Sequence, residues 1–172
     1  MEQPEGLLKI DKLITTFKEA EWCKIPYPNH PYGCPNYGRE GCPGCPPSAI
    51  HIDSIIDRTE PVYFVYSEFD LEAHVEKMRI RHPRWSERQL RNVLYWQQTS
   101  RKQLRERVAE AIKWTNLHHL FYCPEAHGVN VYATALKNGL RLERIKDLKI
   151  CRHVALLFRV RPTRPIRRKF NT

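Results

Sequence analysis

Between Trp22 and Pro47 the chain places prolines at 26, 28, 31, 35, 43, 46 and 47. Proline has no amide donor and a fixed φ, so neither a helix nor an internal strand survives this stretch. The fold must be assembled on both sides of a long irregular loop. That loop holds Cys23, Cys34, Cys42 and Cys45 in the spacing C-x10-C-x7-C-x2-C. Its middle, residues 33–48, reads GCPNYGREGCPGCPPS, with every cysteine followed by proline and no aliphatic side chain.

A lone cysteine is usually a small buried hydrophobe. Four of them in a loop without periodic apolar residues have no core to enter. Disulfides would need an oxidising compartment. The start, MEQPEGLLKIDK, lacks the basic and apolar regions of a secretory signal, and the longest aliphatic stretch, VALLF, is far too short to span a bilayer. A cytoplasmic protein with no membrane partner is expected, its thiols kept reduced. Clustered thiols in that setting point to a metal, because a cation lowers their pKa and replaces their protons.

Cys23, Cys34, Cys42 and Cys45 are the expected ligands. The C-x2-C step around Gly44 lets two thiolates of one turn face one ion. An iron–sulfur cluster, in its 4Fe–4S form, is the first expectation for the cofactor. Zinc is the alternative, since structural zinc usually pairs two C-x2-C knuckles and only one occurs here. Cys123, at the end of an expected strand, is a possible substitute for Cys23. His30 and His51 flank the cluster as further substitutes, and Cys151 is expected in the core. Glu125 and His127 share a turn with Cys123, where an acid, an imidazole and a thiol can support catalysis. Capping of the following helix by Glu125 is the preferred reading.

The 172 residues suffice for one domain, expected over residues 1–161, with a basic tail at 162–172. The expected fold class is α/β: a small sheet of about three strands or more, flanked by helices, with the Cys/Pro-rich loop (22–47) near the N-terminus. Residues 7–20 carry apolar positions at helical spacing, although Ile14-Thr15-Thr16 leaves a strand open. Ser48 is expected to cap a helix through Ile52, Ile55 and Ile56, and Ser67 another at 68–80. Strands are expected at 61–66, 117–122 and 153–160. A long helix should run from the Ser86/Gln89 capping box to Trp114, its apolar stripe interrupted at Gln97 and Arg101. Such an interruption marks a bend, an exposed section or the lining of a site. A last helix is expected at 128–138. His118 and His119, adjacent in a strand, should point to opposite sides, one packed and one exposed.

The net charge of +10 is concentrated in residues 79–107 and in the tail RVRPTRPIRRKF. Arg84, Arg88, Arg91, Arg101, Arg105, Arg164, Arg167 and Arg168 are therefore candidate contacts to RNA or DNA, or to another protein with an acidic surface. Trp85, Tyr95 and Trp96 interleave with them and can stack on unpaired bases. The opposing readings are a solvated basic face and aromatics that pack the helix on the sheet. The motifs G-x-G-x-x-G, G-x4-G-K-[ST], H-E-x-x-H and G-x-S-x-G are absent, which removes support for nucleotide hydrolase, dinucleotide oxidoreductase, zinc protease and serine hydrolase chemistry.

GCPNYGREGCPGCPPS, followed by CPEAHGVNVYATALKNGL and RHVALLF, resembles a family of prokaryotic proteins described as predicted metal-binding proteins. The family's cysteine with P-x-Y-G matches Cys34, Tyr37 and Gly38. Its C-P-P matches Cys45, its late helix matches Gly128 to Gly139, and its leading cysteine matches Cys23 after Trp22. The likeness covers most of residues 22–158. Members often carry a further cysteine-rich segment before the late helix, and here only Cys123 stands there. The resemblance implies a cysteine-bound metal in a small α/β domain and no particular reaction. Two functions are expected from all of this: a metal-binding protein engaging nucleic acid, or an iron–sulfur redox or sulfur-chemistry enzyme with an open coordination position.

Overall fold

A computed structural model describes residues 2–26, 30–144 and 147–162. The fold is α/β, built on one four-stranded antiparallel sheet in the order β1-β2-β4-β3. Its strands are β1 (Leu7–Lys9), β2 (Tyr63–Asp70), β3 (His119–Phe121) and β4 (Ile150–Phe158). The helices are α1 (Glu19–Trp22), α2 (Ile52–Ile55), α3 (Leu71–Arg81), α4 (Glu87–Leu90), α5 (Gln97–Thr115) and α6 (Val131–Lys137). Short 3-10 turns occupy Val93–Tyr95 and Pro124–His127.

The alternation of β4 sorts the core into layers. Ala155 and Leu157 face α5 and meet Leu104, Val108 and Ala111. Leu156 and Phe158 face the opposite side with Phe64, Ile52, Ile56 and Ala135. Each such fully buried large side chain is worth about 1.5–3 kcal/mol. A third cluster, Leu71, Val75, Leu90, Trp96 and Cys151, closes the far end.

Several expected elements come out differently. The segment after Gly6 is not a helix: Leu7–Lys9 pair with β2, and the chain then runs extended beside α6. There the Thr134 hydroxyl accepts from Ile14 N at 3.0 Å, and Asn138 Oδ1 accepts from Asp11 N and Lys12 N. With those amides satisfied by side chains, the helical periodicity has nothing to enforce. Ser48 does not cap α2; His51 does, its Nδ1 accepting from Asp53 N. Ser67 is fully buried inside β2, and Asp70 caps α3 through Ala73 N.

The long helix is broken. The Ser86/Gln89 capping box forms as expected, but α4 lasts one turn and α5 begins only at Gln97. Leu94 is 79% exposed and Val93 47%, so neither joins the expected stripe. Trp96 turns inward instead and stacks on Phe69 at 5.3 Å, which anchors the bend. Strands β2 and β4 extend beyond their expected ends, the antiparallel register running from Tyr63↔Leu157 to Asp70↔Ile150. His118 and His119 are both exposed, because β3 lies at the sheet edge.

Strand β3 is short. It pairs only with Leu156, Leu157 and Phe158, so residues 150–155 of β4 have a strand neighbour on one side alone. A cleft opens along this uncovered edge.

Candidate functional site

The cysteine loop is a chain of tight turns. Tyr37 N donates to Cys34 O (3.1 Å), Cys42 N to Arg39 O (3.3 Å), Cys45 N to Cys42 O (3.0 Å) and Ala49 N to Cys45 O (2.9 Å). Cys34 N donates to Cys23 O at 2.7 Å, which fastens the start of the loop to its middle. Gly33 is required there, since a Cβ would stand 2.2 Å from that same carbonyl oxygen. None of the described residues between Trp22 and Ala49 belongs to the three apolar clusters. What holds the loop among the described residues is its turns.

No disulfide joins Cys34, Cys42, Cys45, Cys123 or Cys151. The thiols of Cys34, Cys42 and Cys45 are half-buried, and burial together with the charges of Cys42 and Cys34 pushes the Cys45 thiol up. Cys123, from the distant segment after β3, is pushed up by burial first and by Glu125 next; the Arg101 charge works against this, and Cys45 and Cys34 add smaller raising effects. These sulfurs interact electrostatically, yet among the described residues no three His, Cys, Asp or Glu side chains stand together at coordinating geometry. In chemistry the donor set suits a thiophilic cation, which would relieve the mutual repulsion of the ionised sulfurs.

The histidine substitutes fare differently. His51 spends both ring nitrogens within the fold: Nε2 lies 2.9 Å from Thr16 O and Nδ1 caps α2. It is not a ligand candidate. His127 is buried, stacked on Phe121 at 3.5 Å, with Nδ1 donating to Ile50 O at 2.8 Å. The thiol, acid and imidazole of that turn therefore do not converge. Glu125 does not cap α6; Asn130 does. Cys151 is buried as expected, its thiol pushed up to about 11 by burial.

Cys123 opens onto a cleft of about 870 Å³ along the uncovered edge of β4. Its walls come from Trp22, the start of α6, Leu142, Glu143 and Leu148, β4 from Cys151 to Val154, and Arg101, Leu104 and Arg105 of α5. Water reaches Glu125, yet protein atoms surround it closely enough that desolvation pushes its carboxyl up. Glu143 is occupied structurally, since its Oε2 accepts from Lys149 N and Ile150 N, and this holds its pKa low. Arg152 is likewise occupied, with Nε and Nη2 both 2.6 Å from Glu68 Oε1.

The basic residues do not share one face. Arg91 reaches the carbonyl of Leu148 and ties α4 to the loop before β4. Arg101 and Arg105, one helical turn apart, line the cleft. Arg84 and Arg88 are exposed, and Arg164, Arg167 and Arg168 lie outside the described residues. Trp96 is buried and Trp85 is sandwiched between His82 and Tyr95, so two of the three interleaved aromatics pack the fold.

His153 was not singled out by sequence. Its Nδ1 lies 2.7 Å from Ser100 Oγ, and Ser67 Oγ donates to Ser100 O at 3.2 Å. Both serines are fully buried. A signal did exist: polar residues at core-facing positions of α5 and β2. The interruption at Gln97 and Arg101 corresponds to the break before α5, which begins at Gln97, and to the exposed side chain of Arg101 on the cleft wall.

The chain matches no protein-family model, no curated protein and no solved structure. Among the described residues no helix is long and apolar enough to cross a membrane.

Proposed function

We propose that the chain is a metal-binding protein whose Cys34, Cys42 and Cys45, with one further thiol, hold an iron–sulfur cluster, zinc being the alternative. The observation that carries this reading is a loop that brings half-buried Cys34, Cys42 and Cys45 into consecutive tight turns while none of its described residues joins an apolar cluster. From across the fold, the Cys123 thiol is pushed up in part by Cys45 and Cys34. Cys123 is accordingly preferred as the fourth donor. Cys23 is the rival, tied by its carbonyl to Cys34 N.

A thiolate-held cluster would supply redox or Lewis-acid chemistry at the end of the cleft. The position of Cys123 on the cleft wall favours the enzymatic reading, with an open coordination position, over a purely structural metal. Engagement of RNA, DNA or an acidic protein rests on exposed Arg84 and Arg88 and on the basic tail. It is the secondary reading, because the geometry diverts Arg91, Arg101 and Arg105 elsewhere.

The test is anaerobic purification with absorption spectroscopy and metal and sulfide analysis. A broad band near ~400 nm with iron and sulfide is expected. Cys123→Ser should lose the band, and Cys23→Ser should retain it. The reverse result transfers the ligand role to Cys23. A protein without iron or zinc after reconstitution removes the reading altogether.

A further inference from the structure

Arg101 and Arg105 present an unusual situation. Both are exposed on the cleft side of α5, and among the described residues neither makes a hydrogen bond or an ion pair within the protein. Some arginines of the fold are ion-paired, Arg58 with Asp53, Arg79 with Glu87, Arg107 with Glu5 and Arg152 with Glu68. What sets Arg101 and Arg105 apart from other unpaired arginines such as Arg84 and Arg88 is that they stand together on one wall of a cleft. Two unpaired guanidinium groups on one wall of a concave site form an electrostatic funnel for an anion. Two acids line the same cleft, but the Glu143 carboxylate is already engaged by the Lys149 and Ile150 amides, and neither it nor Glu125 forms an ion pair with Arg101 or Arg105.

The remaining walls are largely apolar: Trp22, Leu104, Tyr122, Tyr132, Leu142 and Val154. A volume of about 870 Å³ falls in the range of small-molecule sites. His153 completes the arrangement. Two buried serines cost desolvation unless they are bonded: Ser67 Oγ donates to the Ser100 carbonyl, and Ser100 Oγ lies 2.7 Å from His153 Nδ1, which fixes the ring's orientation. In the tautomer in which Ser100 donates to Nδ1, the ring proton sits on Nε2, which has no hydrogen-bond partner among the described residues. Burial and the neighbouring Arg101 both disfavour the charged ring.

We infer that this cleft binds a small organic anion, a carboxylate or phosphate ester with an apolar body. Arg101 and Arg105 bind the anionic head, and His153, oriented by Ser100, supplies a further hydrogen bond. The anion-binding groups stand on α5 and β4, while Cys123, the preferred fourth donor of the proposed metal site, lines the same cleft.

Calorimetric titration of the purified protein with phenyl phosphate, phenylacetate and 2-phenylethanol tests it. At least one anion should bind in the millimolar range or tighter, and the neutral alcohol about tenfold more weakly or not at all. Whichever anion binds better tells phosphate from carboxylate. Arg101→Gln and Arg105→Gln should each weaken anion binding about tenfold, the worth of one charge-assisted hydrogen bond. Both side chains are exposed and unpaired, so the circular dichroism and urea midpoint of these variants should match the parent. The His153 imidazole resonance, assigned by loss in His153→Gln, should move on addition of the bound anion. Equal binding of 2-phenylethanol, unchanged affinity in both arginine variants, no binding of either anion up to about 10 mM, or an unmoved His153 resonance would each overturn the proposal.

Discussion

Gly128 shows how one missing side chain holds the N-terminal half of the fold in place. Its φ is +85°, and an added Cβ would lie 2.0 Å from His51 Nε2 and 2.8 Å from Thr16 O. Through this gap Thr16 N reaches Gly128 O at 2.8 Å, and His51 reaches Thr16 O. Gly139 has a similar φ of +85° with nothing within 4 Å of the added atom. The left-handed conformation alone costs about 1–2 kcal/mol for a residue with a Cβ. Gly139→Ala should therefore lose about 1–2 kcal/mol in urea unfolding, and Gly128→Ala distinctly more. Equal losses would mean that the close approach to His51 and Thr16 is absent in solution.

Helix α6 illustrates how an element is recruited by side chains that ordinarily belong on a helix surface. Thr134 is fully buried and exchanges hydrogen bonds with Ile14, accepting from its N–H and donating to its carbonyl at 3.3 Å. Thr134→Val keeps the shape and deletes both bonds, leaving the half-buried Ile14 amide without its acceptor, while the Ile14 carbonyl keeps Asn130 N at 2.9 Å. A loss of about 1–3 kcal/mol in chemical denaturation is expected. An unchanged midpoint would show that the 10–16 segment is not docked on α6. The same contact explains the failure of helical periodicity over residues 7–20. The periodicity is present, but β1 pairing and α6 side chains supply partners that a local helix would otherwise supply. On α5 the opposite holds: Leu104, Val108 and Ala111 keep their period because the sheet receives that stripe whole.

For the molecule as a whole, buried imidazoles set the acid side of stability. Burial lowers the pKa of His74, His127 and His153 below the ordinary 6.5. The unfolded chain then takes up protons near pH 6.5 while the folded chain resists, so acidification favours unfolding in that window. The carboxylates held low, Asp53, Asp57 and Glu143, act only further down, as pH falls below their ordinary values of 3.8 to 4.5. The urea midpoint should consequently drop between about pH 7 and about pH 5.5, ahead of the loss from the low carboxylates, while Glu125, whose carboxyl is pushed up by burial, works in the opposite sense. A midpoint flat across that range would contradict the depressed imidazoles.

Residue order alone was enough for the irregular Cys/Pro loop, the strand-forming runs, the capping box at Ser86 and the α/β class. Each rests on local chemistry: a missing amide, a β-branched run, a side-chain cap, an alternation of period. Local chemistry could not reach the edge of β4. The length of β3, the burial of Ser67 and Ser100 on facing elements, and the turning of Trp96 into the core are all long-range pairings. No window of neighbouring residues encodes them. For that reason the cysteines were legible and their surroundings were not. The placement of Cys123 beside a cleft with Arg101, Arg105 and His153 exists only because β4 outruns β3 and α5 lies across it.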